Sequence, residues 1–216
     1  MSSFLFLAFV VLFSYLWAAK RWIQEPQIWE FFVWVVLMSA LALGFSEVVQ
    51  HLWAAAAAAG LLSIALVVRL GVDELAFGVT KKGLLWAMVV AIIQLGISSF
   101  WSELLSFLNI DLQTQVLLQE EHSWALVAYV VFGAPIFEEL LFRGFLLPKL
   151  FKEMGVGLAI VLNGVAFGLM HWSTLQAVPP LICFGLMLAL LRWKHGSTTS
   201  CFVAHFINNA TVLLLL

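Results

Sequence analysis

Long apolar blocks separated by short polar breaks run the length of this chain. They fall at 4–19, 28–45, 52–68, 83–105, 123–147, 155–171, 175–191 and 198–216. Each is long enough, or nearly so, to cross a hydrocarbon core of about 30 Å as a helix. The breaks carry recognisable signals: Glu25–Pro26, the Glu47–Gln50–His51 group, Arg69–Gly71, Lys81–Lys82–Gly83, Pro179–Pro180 and His195–Gly196. The pattern predicts an all-α polytopic membrane protein, a bundle of about eight transmembrane helices, with 1–216 forming a single membrane domain. The run Ala54–Ala59 reads as an ordinary packing helix, since alanine favours helix and permits close approach. Within 106–122, Phe107, Ile110, Val116 and Leu117 suggest a short surface-lying helix or a cap over the bundle.

Composition agrees with the pattern. The chain is 64% hydrophobic and 10% charged, against about 45–50% apolar and about 25% charged in soluble domains. Its mean hydropathy is +1.08. A net charge of −2 offers no basic surface for nucleic acid, so lipid and a membrane-borne partner are the expected surroundings. Cys183 and Cys201 lie in apolar blocks and read as small core residues rather than a disulfide or metal pair. Phe4–Ala19 has the length of a secretory signal. No positive charge precedes it and Lys20–Arg21 follow it directly, so it reads as a retained first transmembrane helix.

Charge placement orients the bundle. With eight spans, Lys20, Arg21, Arg69, Lys81, Lys82, Lys149, Lys152, Arg192 and Lys194 all fall on one side, and Arg143 alone among the Lys and Arg residues lies inside a span. The opposite connections hold Glu47, Asp111, Glu120 and Glu121 without a base. The basic side is therefore expected to be cytoplasmic, with both termini outward.

Ionisable residues inside spans carry the chemistry, because a charge at helix centre costs about 2.5–3.5 kcal/mol on insertion scales and is retained for a reason. In FEELLFRGF, residues 137–145, Glu139 and Arg143 are spaced i,i+4 and share a helix face, where they can pair. Glu138 points about 100° away and has no built-in cation, which leaves its carboxylate available as a general base. The bland alternative is an interior ion-pair network. Phe167 and His171, again i,i+4, form a second pair, which could equally be core packing and an interfacial histidine. His205 and Asn209 form a third, with Asn209 able to donate to a developing oxyanion and Asn208 rotated towards an interhelical hydrogen bond. No comparable cluster occurs in the first four blocks. Counted at about 1.5 Å per residue from Leu147 and Ser197, Glu138, His205 and Asn209 lie roughly 13, 12 and 18 Å deep. His171, counted from Met154, lies roughly 25 Å deep and out of line with them.

EELLFR at 138–143, FGLMH at 167–171 and HFINN at 205–209 resemble, in order, the EExxxR, FxxxH and HxxxN signatures of the CPBP intramembrane proteases. That family includes the Rce1-type CAAX prenyl endopeptidases and bacterial Abi-like proteins. The resemblance covers roughly 120–216 and makes this the catalytic core; 1–105, the first four helices, match only as generic spans and read as scaffold. It implies a multi-pass protein of a bacterial or archaeal plasma membrane with its site in an intramembrane cavity. It also implies an intramembrane endopeptidase hydrolysing membrane-associated or prenylated CAAX-type substrates by glutamate-activated water. Glu138 would be the base, His171 its partner, and His205 and Asn209 the oxyanion donors. Glu139, Arg143 and Phe167 would support them. No cofactor is favoured, although Glu138, His171 and His205 could together hold a zinc ion.

Other intramembrane chemistries lack their residues. There is no HExxH, no Gly-x-Ser-x-Gly, and Asp73 and Asp111 both fall in loops. A non-enzymatic scaffold or immunity factor retaining the protease fold is the alternative. A proton-coupled transporter would show internal repeats, and the two halves differ in charge placement.

Overall fold

The computed structural model describes residues 75–110 and 127–215, with the side chains of 172–174 left aside. The expected spans at 4–19, 28–45 and 52–68, and most of the 106–122 segment, lie outside the described residues.

Helix α1 spans Lys81–Phe107 and begins at Thr80, whose hydroxyl accepts from the Gly83 amide at 3.0 Å. It ends where Asn109 takes a left-handed φ of 55°, and the Leu108 amide closes onto the Leu104 carbonyl. Helix α2 runs over 127–154 and is π-wound at Tyr129–Gly133 and Leu140–Leu146. Pro135 explains part of the first irregularity, because it has no N–H to give to the turn before it. Helix α3, Val156–Leu169, follows after a single residue. That residue is Gly155 at φ 78°, a backbone geometry glycine adopts without Cβ strain. A 3₁₀ turn at Trp172–Ala177 leads to α4, Val178–His195, which ends at Gly196 in the left-handed conformation. Helix α5 is Thr198–Leu215. Among the described residues there is no strand.

The boundaries correct two expectations. Pro179–Pro180 do not break a span; they occupy the first turn of α4, where a missing N–H costs least. The fifth block does not end at Leu147, since α2 continues to Met154 and carries Lys149 and Lys152 on its last turns.

Among the described residues α1, α5 and the segment Leu175–His195 are long and apolar enough to cross a membrane, and Val156–Leu169 is apolar but shorter. The π-wound α2, carrying Glu138, Glu139 and Arg143, is not among these.

Glycines set the tightest packing. A Cβ at Gly164 would lie 2.7 Å from Leu186, and one at Gly185 would lie 2.7 Å from the Gly164 carbonyl oxygen. Gly168 faces Ile182 in the same way, so Gly164 and Gly168, four apart, bring α3 and α4 together as small residues do in membrane bundles. Helix α1 approaches α5 through Gly83 and Ser200. The amide and hydroxyl of Thr198 bond to the carbonyls of Ala76 and Leu75, tying the start of α5 to the segment before α1. Phe142, Phe167, Phe184 and Leu188 fill the centre, and Arg143 is fully buried among them.

Candidate active site

Arg143 needs more than an apolar cavity, because burying a charge without partners is prohibitive. Its Nη1 donates to Glu139 Oε1 at 3.0 Å, its Nη2 donates to the Gly185 carbonyl at 3.0 Å, and its guanidinium lies 4.4 Å from the Phe167 ring centroid. The glycine contacts that bring α4 close to α3 also deliver that carbonyl. The i,i+4 pair anticipated from sequence therefore forms.

Glu139 does more than neutralise Arg143. The same Oε1 lies 2.9 Å from His205 Nδ1. A carboxylate only accepts, so Nδ1 carries the hydrogen and Nε2 faces away, 3.9 Å from Glu138 Oε2. The edges and faces of Phe167 and Phe184 pack around the ring at 5.7 and 5.2 Å. His205 is thereby fixed in position and tautomer from α2, α3 and α4.

His171 is fixed by the same logic. Its Nδ1 lies 3.0 Å from the Phe167 carbonyl, which only accepts, so Nε2 is again the nitrogen presented to the cavity, 4.0 Å from Glu138 Oε1. Phe167 stacks against this ring too, at 5.4 Å. Glu138 thus sits between two imidazoles, one at each oxygen. Its side chain is 12% exposed, against 32% for His171 and 5% for His205, so the cluster opens on the His171 side.

Contact overturns the out-of-line depth expected of His171: its Nε2 lies 4.0 Å from Glu138 Oε1, as His205 Nε2 lies 3.9 Å from Oε2. The count for Glu138 assumed a helix end at Leu147 and a uniform α-helical rise, whereas α2 runs to Met154 and is π-wound over Leu140–Leu146.

Asn209 stands one turn beyond His205. Its Nδ2 donates to the Val130 carbonyl at 3.0 Å. In the π-wound turn that carbonyl would be served by residue 135, and residue 135 is proline. The amide fills the gap and, among the described residues, keeps one N–H uncommitted. Asn208 is buried, yet its Nδ2 bonds Asn209 Oδ1 at 3.2 Å within its own helix. The interhelical bond expected of Asn208 is made by Asn209.

Sequence reading passed over Asn163 and Gln94, both buried. Asn163 Nδ2 donates to the Phe142 carbonyl at 2.9 Å, bracing the second π-wound stretch just before Arg143. A lone amide in the apolar run VLNGVAFGL was the available signal.

A tetrahedral zinc with bonds of about 2.0–2.1 Å sets its ligands about 3.4 Å apart. The two imidazoles lie 3.9 and 4.0 Å from different oxygens of Glu138. Among the described residues no group of three or more His, Cys, Asp or Glu is arranged to hold a metal ion.

Residues 120–211 match the family model described as type II CAAX prenyl endopeptidase Rce1-like, so the resemblance carried by EELLFR, FGLMH and HFINN holds over that segment. No curated protein and no solved structure matches the chain.

Proposed function

With residues 120–211 carrying an Rce1-like match, a family of proteases, we propose that this chain is an intramembrane endopeptidase in which Glu138 activates water. One observation carries the reading: a sheltered carboxylate flanked by two imidazoles, each oriented by a backbone carbonyl or a second carboxylate.

A single water held at about 2.8 Å from each of Glu138 Oε1 and His171 Nε2 spans their 4.0 Å separation. Its oxygen attacks the scissile carbonyl carbon, and its proton passes to the Glu138 carboxylate. The carbonyl π bond breaks and the oxygen becomes an oxyanion. The free N–H of Asn209, and His205 when its Nε2 carries a second proton, stabilise that charge, with Glu139 balancing the imidazolium. Collapse expels the amine, which takes the proton from Glu138. Low dielectric around the cluster strengthens each of these interactions. Substrates are peptides or protein C-termini held at the membrane, with prenylated CAAX-type sequences the first class to assay.

Purified protein in liposomes should cleave a fluorogenic prenylated peptide. Glu138→Gln should lower kcat by roughly 10²–10⁴-fold while leaving thermal unfolding unchanged. Full activity in that variant sinks the assignment. A metal chelator should leave the rate unchanged; loss with recovery on adding zinc would replace the metal-free mechanism.

A further inference from the structure

The turn that carries His171 away from α3 is held from outside the catalytic cluster. Trp101 Nε1, on α1, donates to the Gln176 carbonyl at 2.6 Å. Gln94 Nε2, two turns earlier, donates to the Pro180 carbonyl at 3.1 Å. The first acceptor exists because of the sequence. Gln176 lies at the end of the 3₁₀ turn, and the two amides that could bond its carbonyl, that of residue 179 in 3₁₀ register and that of residue 180 in α register, both belong to prolines. The indole supplies the donor that the prolines lack. On the opposite side, Gly168 packs against Ile182 and the His171 amide bonds the Gly168 carbonyl at 3.0 Å. The 3₁₀ turn Trp172–Ala177 is therefore anchored to α3 at one end and to α1 at the other.

We propose that α1 is a positioning element for the site: Trp101 and Gln94, through the carbonyls of Gln176 and Pro180, set where His171 stands relative to Glu138. Both residues lie outside the 120–211 match. Neither touches the reacting atoms. His171 is the most exposed member of the cluster and sits at a helix end rather than within a helix, so it depends most on its turn. The inference rests on the Glu138–His171 reading for its kinetic consequence, though not for its geometric one.

Trp101→Phe removes the N–H and keeps an aromatic ring. It should lower kcat about tenfold with KM within about twofold, the size expected from one lost hydrogen bond and a small misplacement. Pro180→Ala restores an amide at residue 180. Added to Trp101→Phe, it should return kcat to within about threefold of the parent, a rescue that a merely weakened bundle would not show. Ring ¹⁵N resonances of His171, read without substrate, should move in Trp101→Phe and return in the double variant. Gln94→Leu should shift kcat and the resonance in the same direction, and it decides the matter if Trp101→Phe does not fold. The proposal is overturned if kcat and the His171 resonance ignore both α1 substitutions, or if Pro180→Ala fails to relieve the loss. If Glu138→Gln stays active while the resonance still responds to Trp101→Phe, the catalytic reading falls and the clamp stands. If Glu138→Gln is inactive and the resonance does not respond, the clamp falls alone.

Discussion

A single oxygen, Glu139 Oε1, receives both Arg143 Nη1 and His205 Nδ1. That shared acceptor separates the roles of two adjacent carboxylates. Glu139 is 1% exposed and committed to a cation and an imidazole, so removing its charge strands a buried guanidinium. Glu139→Gln should cost about 3–5 kcal/mol of stability, seen as a marked fall in the unfolding midpoint in detergent. Glu138→Gln should leave that midpoint in place and remove activity instead. Arg143→Lys tests the second donor. An ammonium lacks the planar fork that reaches both Glu139 and the Gly185 carbonyl, so a loss of about 1–3 kcal/mol is expected by the same measurement. Equal stability of Arg143→Lys and the parent would mean that the Gly185 bond contributes nothing.

Between elements, two separations decide whether the cluster assembles: α3 to α4, and α5 to α2. The first is set by Gly164, Gly168 and Gly185. A Cβ at Gly185 would meet the Gly164 carbonyl at 2.7 Å and Phe167 Cβ at 3.0 Å. Gly185→Ala should therefore destabilise by about 1–3 kcal/mol and displace Phe167, the ring on which Arg143, His171 and His205 all pack. Gly96→Ala, in α1 with nothing among the described residues within 4 Å of the added methyl, should instead stabilise by about 1 kcal/mol. Paired unfolding curves of these two alanine variants check whether packing or helix propensity dominates. The second separation is bridged by the Asn209 amide on a carbonyl that Pro135 leaves unserved. Trp101 serves the carbonyl left by Pro180 in the same way. In both places a proline frees an acceptor and a distant side chain takes it, which converts a local defect into a tertiary contact.

At the scale of the whole described unit, the basic residues gather at one end. Trp86 on α1 stacks on His195 at the end of α4, Lys81 and Lys82 open α1, and Arg192 and Lys194 close α4. Lys149 and Lys152 lie on the last turns of α2, beside the start of α3 and so at the same end as the close of α4. The positive-inside rule predicts that this end faces the cytoplasm. In a background with Cys183 replaced by serine, Lys152→Cys should react with a membrane-impermeant maleimide only from the cytoplasmic face. Labelling from the outer face would invert the orientation.

The helical, membrane-spanning character of the described residues was legible in the sequence, because apolar length and the scarcity of charge leave no other way to satisfy the backbone in lipid. The sequence by itself also determined the Glu139–Arg143 pair and the likeness of faces within each motif, since i,i+4 spacing on a helix is a local property. It could not place His171, because depth depends on where α2 ends: Pro148 and the charges at Lys149 and Lys152 read as a stop after Leu147, yet the helix carries on to Met154 and turns at Gly155. Nor could it reveal that Glu139 holds His205, that Asn209 rather than Asn208 crosses to α2, or that Trp101 and Gln94 reach the turn after His171. Those partners are far apart in the chain, so helix packing decides whether they meet; for Asn209 and Trp101 a proline also leaves the accepting carbonyl free. Local spacing chose which residues share a face, and tertiary packing chose which faces meet.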